Sequence, residues 1–215
     1  MAQFFQVHPV NPQLRLIRRA VEIIREGGVI VFPTDSSYAL GCQMEDKRAL
    51  DRIRRIRQLD DRHNFTLVCQ DLAQISNFAK IGNDAYRLIK SLTPGPFTFI
   101  LKATREVPRR LQHPKRKTIG IRVPDHPVAQ LILRELSEPL FSSTLILPGE
   151  EVSLADADQI RQRMEHEVDL IIDAGVVSYD PTTVILMTEQ PPQIVRQGKG
   201  VAAALEEGNY SGPHG

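Results

Sequence analysis

Past Asn11-Pro12, the residues Leu16, Ile17, Ala20, Val21 and Ile24 recur at helical spacing on one face, and Gly27-Gly28 ends the segment. Val29 to Phe32 follows as a short apolar run, partly β-branched, which reads as a buried strand. The same periodicity predicts a helix over Lys47 to Gln58, with Leu50, Ile53 and Ile56 inward and arginines interleaved. Further helices are predicted over Leu72 to Ala79, Asn83 to Leu92, His126 to Leu136 and Ala155 to Glu165. Strands are predicted over Phe65 to Cys69, Phe97 to Ala103, Thr118 to Val123, Leu140 to Leu145, Leu170 to Asp173, Thr183 to Met187 and Gln193 to Arg196. Helices alternating with strands define an α/β fold, and no linker divides it, so 1–200 reads as one domain. The Gly-rich end, 201–215, reads as a flexible tail.

With 215 residues, 41% of them hydrophobic, the chain can bury a continuous core, as an enzyme-sized domain requires. Its net charge of +1 conceals a segregation. Between Lys102 and Arg122, Lys102, Arg105, Arg109, Arg110, Lys115, Arg116, Lys117 and Arg122 face the single acid Glu106, whereas acids dominate Glu150 to Asp173. The pattern suits either a face that attracts anions or two ordinary solvated faces. Cys42 and Cys69 have neither metal-ligand nor disulfide-framework spacing, which suggests core positions in a reduced, cytoplasmic setting. No apolar stretch approaches the roughly 20 residues that span a bilayer, and the N-terminus lacks a basic and apolar leader.

The stretch FPTDSSYALGC, at the end of the Val29 to Phe32 strand, gathers hydroxyls and a tyrosine where open α/β sheets bind ligands. It lacks the glycines of a GxSxG elbow, and the chain contains neither a Walker loop nor GxGxxG. A Ser-stabilised turn with Tyr38 in the core is the alternative. Its six histidines show no ligand spacing, so no metal site is expected. TPGPFTF carries Thr98 into a strand, and TIGIRVPDHP sets Arg122 inside an apolar one. A buried guanidinium must meet a carboxylate or phosphate, supplied by the protein or by a ligand. In IVRQGKG, Arg196 ends a strand before glycines, suited to phosphate or to solvent.

Taken in order, GGVIVFPTDSSYALGC, RIRQLDDRHNFTLVC, LTPGPFTFILKA, TIGIRVPDHPVAQ, PLFSSTLILPG, VDLIIDAG, PTTVI and IVRQGKG resemble the YrdC-like family of threonylcarbamoyl-AMP synthases over about 10–200. PTDSSYALGC and RIRQLDDRHNFTL are similar to its YciO branch. The resemblance implies a twisted, mixed, open sheet flanked by helices around a large concave basic cavity. It also implies chemistry on threonine, bicarbonate and Mg-ATP, giving threonylcarbamoyl-AMP and pyrophosphate for modification of an adenosine in tRNA. Positioning and charge neutralisation suffice for this chemistry, so no catalytic nucleophile is expected.

Carried over by motif, Thr34, Tyr38 and His63 would contact substrate, and Arg122 would grip the threonine carboxylate with a bidentate fork. Arg57, Thr98, Thr144, Thr183 and Arg196 would hold the nucleotide. Two departures bear on activity: the synthases' KxR pair aligns with Arg57 and Leu59, and their SxN pair with Thr144 and Ile146. Losing two such hydrogen bonds to a transition state costs on the order of 3 to 5 kcal/mol, roughly a hundredfold to several thousandfold in rate. The resemblance therefore implies a weak synthase or an enzyme that hydrolyses a related adenylate. The alternative is a tRNA- or double-stranded-RNA-binding protein using the same basic cavity, with Arg109, Arg110, Lys115, Arg116 and Lys117 on the phosphates.

Overall fold

The computed structural model describes residues 1–60, 63 and 65–206. In chain order the elements are β1 (Gln3–Gln6), α1 (Leu14–Arg25), β2 (Ile30–Phe32), β3 (Ala39–Gln43), α2 (Lys47–Arg57), β4 (Thr66–Val68), α3 (Leu72–Phe78), β5 (Ala79–Lys80), α4 (Asn83–Leu92) and β6 (Phe97–Ala103). They continue through β7 (Thr118–Arg122), α5 (Pro127–Leu136), β8 (Leu140–Thr144), α6 (Ala157–Met164), β9 (Leu170–Asp173), β10 (Thr183–Leu186), β11 (Gln193–Arg196) and the single turn α7 (Ala203–Glu206). One mixed sheet joins all the strands in the order β1-β9-β2-β3-β8-β4-β7-β6-β10-β11, with β5 also paired to β6.

The local chemistry of the chain sets the boundaries. Gly27, at a positive φ of 86°, turns the chain out of α1, a conformation costly for any residue with a Cβ. Asp46 caps α2 by accepting from the Ala49 amide at 2.9 Å. His126 Nδ1 does the same for Val128 at the start of α5, where Pro127 occupies a position needing no amide hydrogen.

Two apolar clusters lie on opposite faces of the sheet. The buried faces of α1 (Ile17, Ala20, Val21, Ile24) and α5 (Val128, Ile132, Leu133) pack on Ile30, Phe32, Val68, Leu140 and Leu170. On the other face, α2, α4 and α6 cover Val29, Val31, Leu67, Phe99, Ile121 and Ile171. Burying an apolar layer on each side of one sheet is the α/β solution anticipated from the alternation of elements.

Three strands escaped the periodicity. β1 is a short edge strand, β5 has two residues, and β3 lies inside the polar-looking FPTDSSYALGC stretch. Within the stretch expected to be a tail, Ala202 is buried and α7 follows it, while 207–215 lies outside the described residues.

The sheet face that carries α1 and α5 changes character along its strands. On β8 the same-face series runs Leu140, Ser142, Thr144, and on β4 it runs Thr66, Val68. Where hydroxyls replace apolar side chains, a cavity opens.

Candidate binding cavity

The cavity holds about 350 Å³ and draws its walls from Ala39 on β3 to Arg196 on β11. Five strands separate those two in the sheet, so the sheet must curve strongly to bring both to one space. Across its floor, Ser142, Thr66 and Gly120 stand in register on β8, β4 and β7. A Cβ at Gly120 would lie 2.8 Å from Thr66 Oγ1 and 3.1 Å from the Phe65 carbonyl, so this position requires glycine.

Arg57, His63, Arg122 and Arg196 all line the cavity, and no carboxylate stands among the described lining residues. Arg57 Nε donates to Ser143 Oγ at 3.2 Å. Arg196 folds back on Thr182, donating to its carbonyl at 2.9 Å and to its Oγ1 at 3.1 Å. Burial holds both guanidinium pKa values below their usual range. The His63 imidazole is pushed down as well, first by burial and then by the positive charge of Arg57.

Arg122 meets its carboxylate within the protein. Its Nη2 pairs with Asp35 and its Nη1 donates to Ser36 Oγ at 3.2 Å, while Asp35 also accepts from the Asp125 amide at 3.0 Å. Its Nε is buried and without a partner. The internal carboxylate is the first of the two partners that a buried arginine at this position could have had, and Arg122 still faces the cavity.

Of the carried-over residues, Arg57, His63, Thr98, Arg122, Thr144 and Arg196 come together here, whereas Thr34, Tyr38 and Thr183 do not line the cavity. Thr34 Oγ1 donates to the Ser37 carbonyl at 2.6 Å and accepts from the amides of Ser36 and Ser37, stabilising a turn. Tyr38 is fully buried; its hydroxyl donates to the Gly175 carbonyl at 2.7 Å and accepts from the Ala174 amide at 3.2 Å. Burial, opposed in part by the Ala174 bond, pushes the Tyr38 phenol up to about 12. Thr183 points to the other side of β10 and holds the Gly200 carbonyl at 2.6 Å. Its neighbour Thr182 faces the cavity instead, bonded to Thr98 Oγ1 at 2.8 Å.

Thr66, Ser142, Ser143 and Thr182 also line the cavity and were missed. Strand alternation identifies Thr182 once the register of β10 is known, but a one-residue error selects Thr183. Of the two apolar departures, Ile146 lines the cavity, whereas Leu59 is packed against the hydrophobic core. The five cations from Arg109 to Lys117 do not share this space. They are exposed on the connection between β6 and β7, and Arg110 donates to the carbonyls of Met44 and Glu45. No helix among the described residues is long and apolar enough to cross a membrane.

Comparison with known proteins places this geometry in a family. Residues 22–198 match the model for Sua5, YciO and YrdC proteins, described as telomere recombination. The chain is 58% identical to the YciO protein of Escherichia coli K12 over 200 residues, 93% of this chain and 97% of that one. The crystal structure of E. coli YciO superposes with a TM-score of 0.93 at 56% identity, covering 95% of this chain and all (100%) of that one. A threonylcarbamoyl-AMP synthase of Hydrogenovibrio crunogenus is 32% identical over 146 residues, 66% of this chain and 78% of that one. P. abyssi Sua5, crystallised with L-threonine, matches 91% of this chain and 57% of its own with a TM-score of 0.83 at 28% identity. The motifs that line the cavity and the matched span coincide: this chain belongs to the Sua5, YciO and YrdC family.

Proposed function

We propose that this protein binds an adenylate of the threonylcarbamoyl-AMP class in the cavity and turns it over slowly, by weak synthesis or by hydrolysis. The observation that carries the reading is the cluster of Arg57, His63 and Arg196 at a cavity whose described lining residues include no carboxylate. Two guanidinium cations at a partly desolvated site attract a phosphate, and the His63 imidazole and neighbouring hydroxyls orient its substituents. The synthase name of one relative and the threonine bound to Sua5 support the choice of threonine as the amino-acid part.

In the synthetic direction, the threonine amine captures carbon dioxide derived from bicarbonate. A carbamate oxygen then bonds to the α-phosphorus of ATP, and pyrophosphate leaves. In hydrolysis, water returns threonine, carbon dioxide and AMP. The chain's own part is to hold phosphate oxygens on Arg57 and Arg196 and to exclude water along Ile100, Val184 and Ile146. Mg²⁺ would enter with ATP, bound to its phosphates.

The test is direct. Protein supplied with ATP, threonine and bicarbonate should release pyrophosphate slowly, or supplied threonylcarbamoyl-AMP should disappear faster than in buffer. If neither occurs and calorimetry detects no binding of AMP, ATP or threonylcarbamoyl-AMP, the reading is wrong. A second reading rests on the exposed cations Arg109, Arg110, Lys115, Arg116 and Lys117, which could hold tRNA or double-stranded RNA outside the cavity. It requires an affinity that falls steeply with salt and drops when these five are neutralised.

A further inference from the structure

The sheet ends differently at its two edges. β11 follows Pro191 and Pro192, and its ladder with β10 carries a register shift; both features blunt an edge. β1 has neither. Gln3, Phe4, Phe5 and Gln6 run in unbroken register with Leu170 to Asp173 and carry no charge. The amides of Gln3 and Val7 donate to the carbonyls of Asp169 and Asp173 at 2.9 and 2.8 Å, on the β9 side. Strand alternation then turns the amides and carbonyls of Phe4 and Gln6 outward, to an edge that no described strand occupies.

A groove of about 560 Å³ lies between this strand and α1. Phe5, Leu14 and Leu16 supply its apolar surface, and Leu14 is 40% exposed. Arg15, Arg18, Arg19 and Glu22 also line it, spaced so that they share one stripe of the helix. Arg19 pairs with Glu22 at 2.8 Å and Arg18 with Glu135 at 3.0 Å. The exposed Arg15 is left as the cation of the groove without an acid partner among the described residues. Apolar surface, an excess positive charge and unpaired backbone therefore stand side by side.

From this juxtaposition we infer that β1 is a docking edge for an extended segment of another protein, with an apolar residue flanked two positions away by an acid. Added as a strand, the segment satisfies the outward groups of Phe4 and Gln6 through its own backbone. Every second side chain enters the groove, so the apolar one packs on Phe5 and Leu14 and the acid reaches Arg15. A second copy of the chain fits less well. Antiparallel β1 strands related by a two-fold axis normal to the sheet place both α1 helices on one face, with their arginine stripes brought together, and like charges repel.

The probes are two blocked, fluorescein-labelled peptides, TETLTET and TKTLTKT, which differ only in the charge beside the leucine. Fluorescence anisotropy on the full chain should show saturable binding of the acidic peptide, about fivefold tighter than the basic one and weaker at high salt. Arg15→Glu should abolish that preference. Gln6→Pro removes an outward amide that the sheet does not use, and should weaken the acidic peptide about tenfold, the value of one hydrogen bond. Gln6→Ala, which keeps the amide, should bind within about twofold of the wild type. On the wild type itself, saturating acidic peptide should slow hydrogen exchange at the Phe4 and Gln6 amides about tenfold or more. The inference is overturned by no saturable binding, by equal affinity for the two peptides, by unchanged exchange at Phe4 and Gln6, or by undiminished binding to Gln6→Pro. Sedimentation that shows a dimer with these amides already protected also overturns it, and gives the edge to a second copy.

Discussion

Asp35→Ala isolates the buried pair at the base of the cavity. Asp35 and Arg122 keep only 10% and 6% of their side-chain surface in contact with solvent. Truncation removes the counter-charge and the bond from the Asp125 amide at 3.0 Å, leaving the guanidinium buried in the cavity wall. Breaking one side of such a pair costs about 3–5 kcal/mol, because the remaining charge stays buried and uncompensated. For a domain of this size each kcal/mol moves the midpoint by about 2–4 °C, so the melting temperature should fall by roughly 6–20 °C. Urea unfolding monitored by circular dichroism gives the free energy, provided the slope is unchanged. The double variant Asp35→Ala/Arg122→Met should recover more than half of the loss, since it removes the stranded charge. A loss below about 1 kcal/mol for the single variant, or a double variant no more stable than the single, would refute the electrostatic account.

Three further outcomes follow from the geometry. Tyr38→Phe strands the Ala174 amide and removes the Gly175 partner, and should cost about 1–3 kcal/mol by urea unfolding while leaving AMP binding unchanged. Since the folded Tyr38 phenol is raised to about 12, above its unfolded value of 10.0, its stabilisation is complete below pH 10 and is lost between pH 10 and 12. Stability of the wild type should therefore fall more steeply over that window than that of Tyr38→Phe. Gly120→Ala places a methyl 2.8 Å from Thr66 Oγ1 and 3.3 Å from Thr98 Cγ2, and should cost about 1–3 kcal/mol and reduce adenylate affinity; unchanged melting would contradict the close contact. Arg57→Met and Arg196→Met should each lower AMP affinity by about tenfold or more in calorimetry, with smaller effects at high salt.

The helices were legible because their apolar faces repeat every three to four residues, as Leu50, Ile53 and Ile56 do on α2. β3 was not, since Ala39 to Cys42 are all buried and show no alternation, and the polar residues before them mark a loop. The cavity was readable mainly through the family resemblance. Arg122 also declared itself physically, as an arginine that had to be compensated, although its partner Asp35 lies 87 positions away. Tyr38 illustrates the limit: its hydroxyl is occupied by backbone 136 and 137 positions further on, a pairing that no local pattern encodes. Thr34 is the opposite case, since its partners are two and three residues away and the turn they form is the alternative that the local sequence offered.

The curvature that joins Ala39 to Arg196 also fixes when the site can exist. During synthesis, the first wall emerges early and the last is added only with β11, after both apolar layers are largely complete. A nascent chain halted before Gln193 would collapse around most of its core with the pocket still open on one side. Ligand recognition is thus a property of the finished chain, and the adenylate should protect the β10–β11 ladder from hydrogen exchange more than the interior strands that were assembled first.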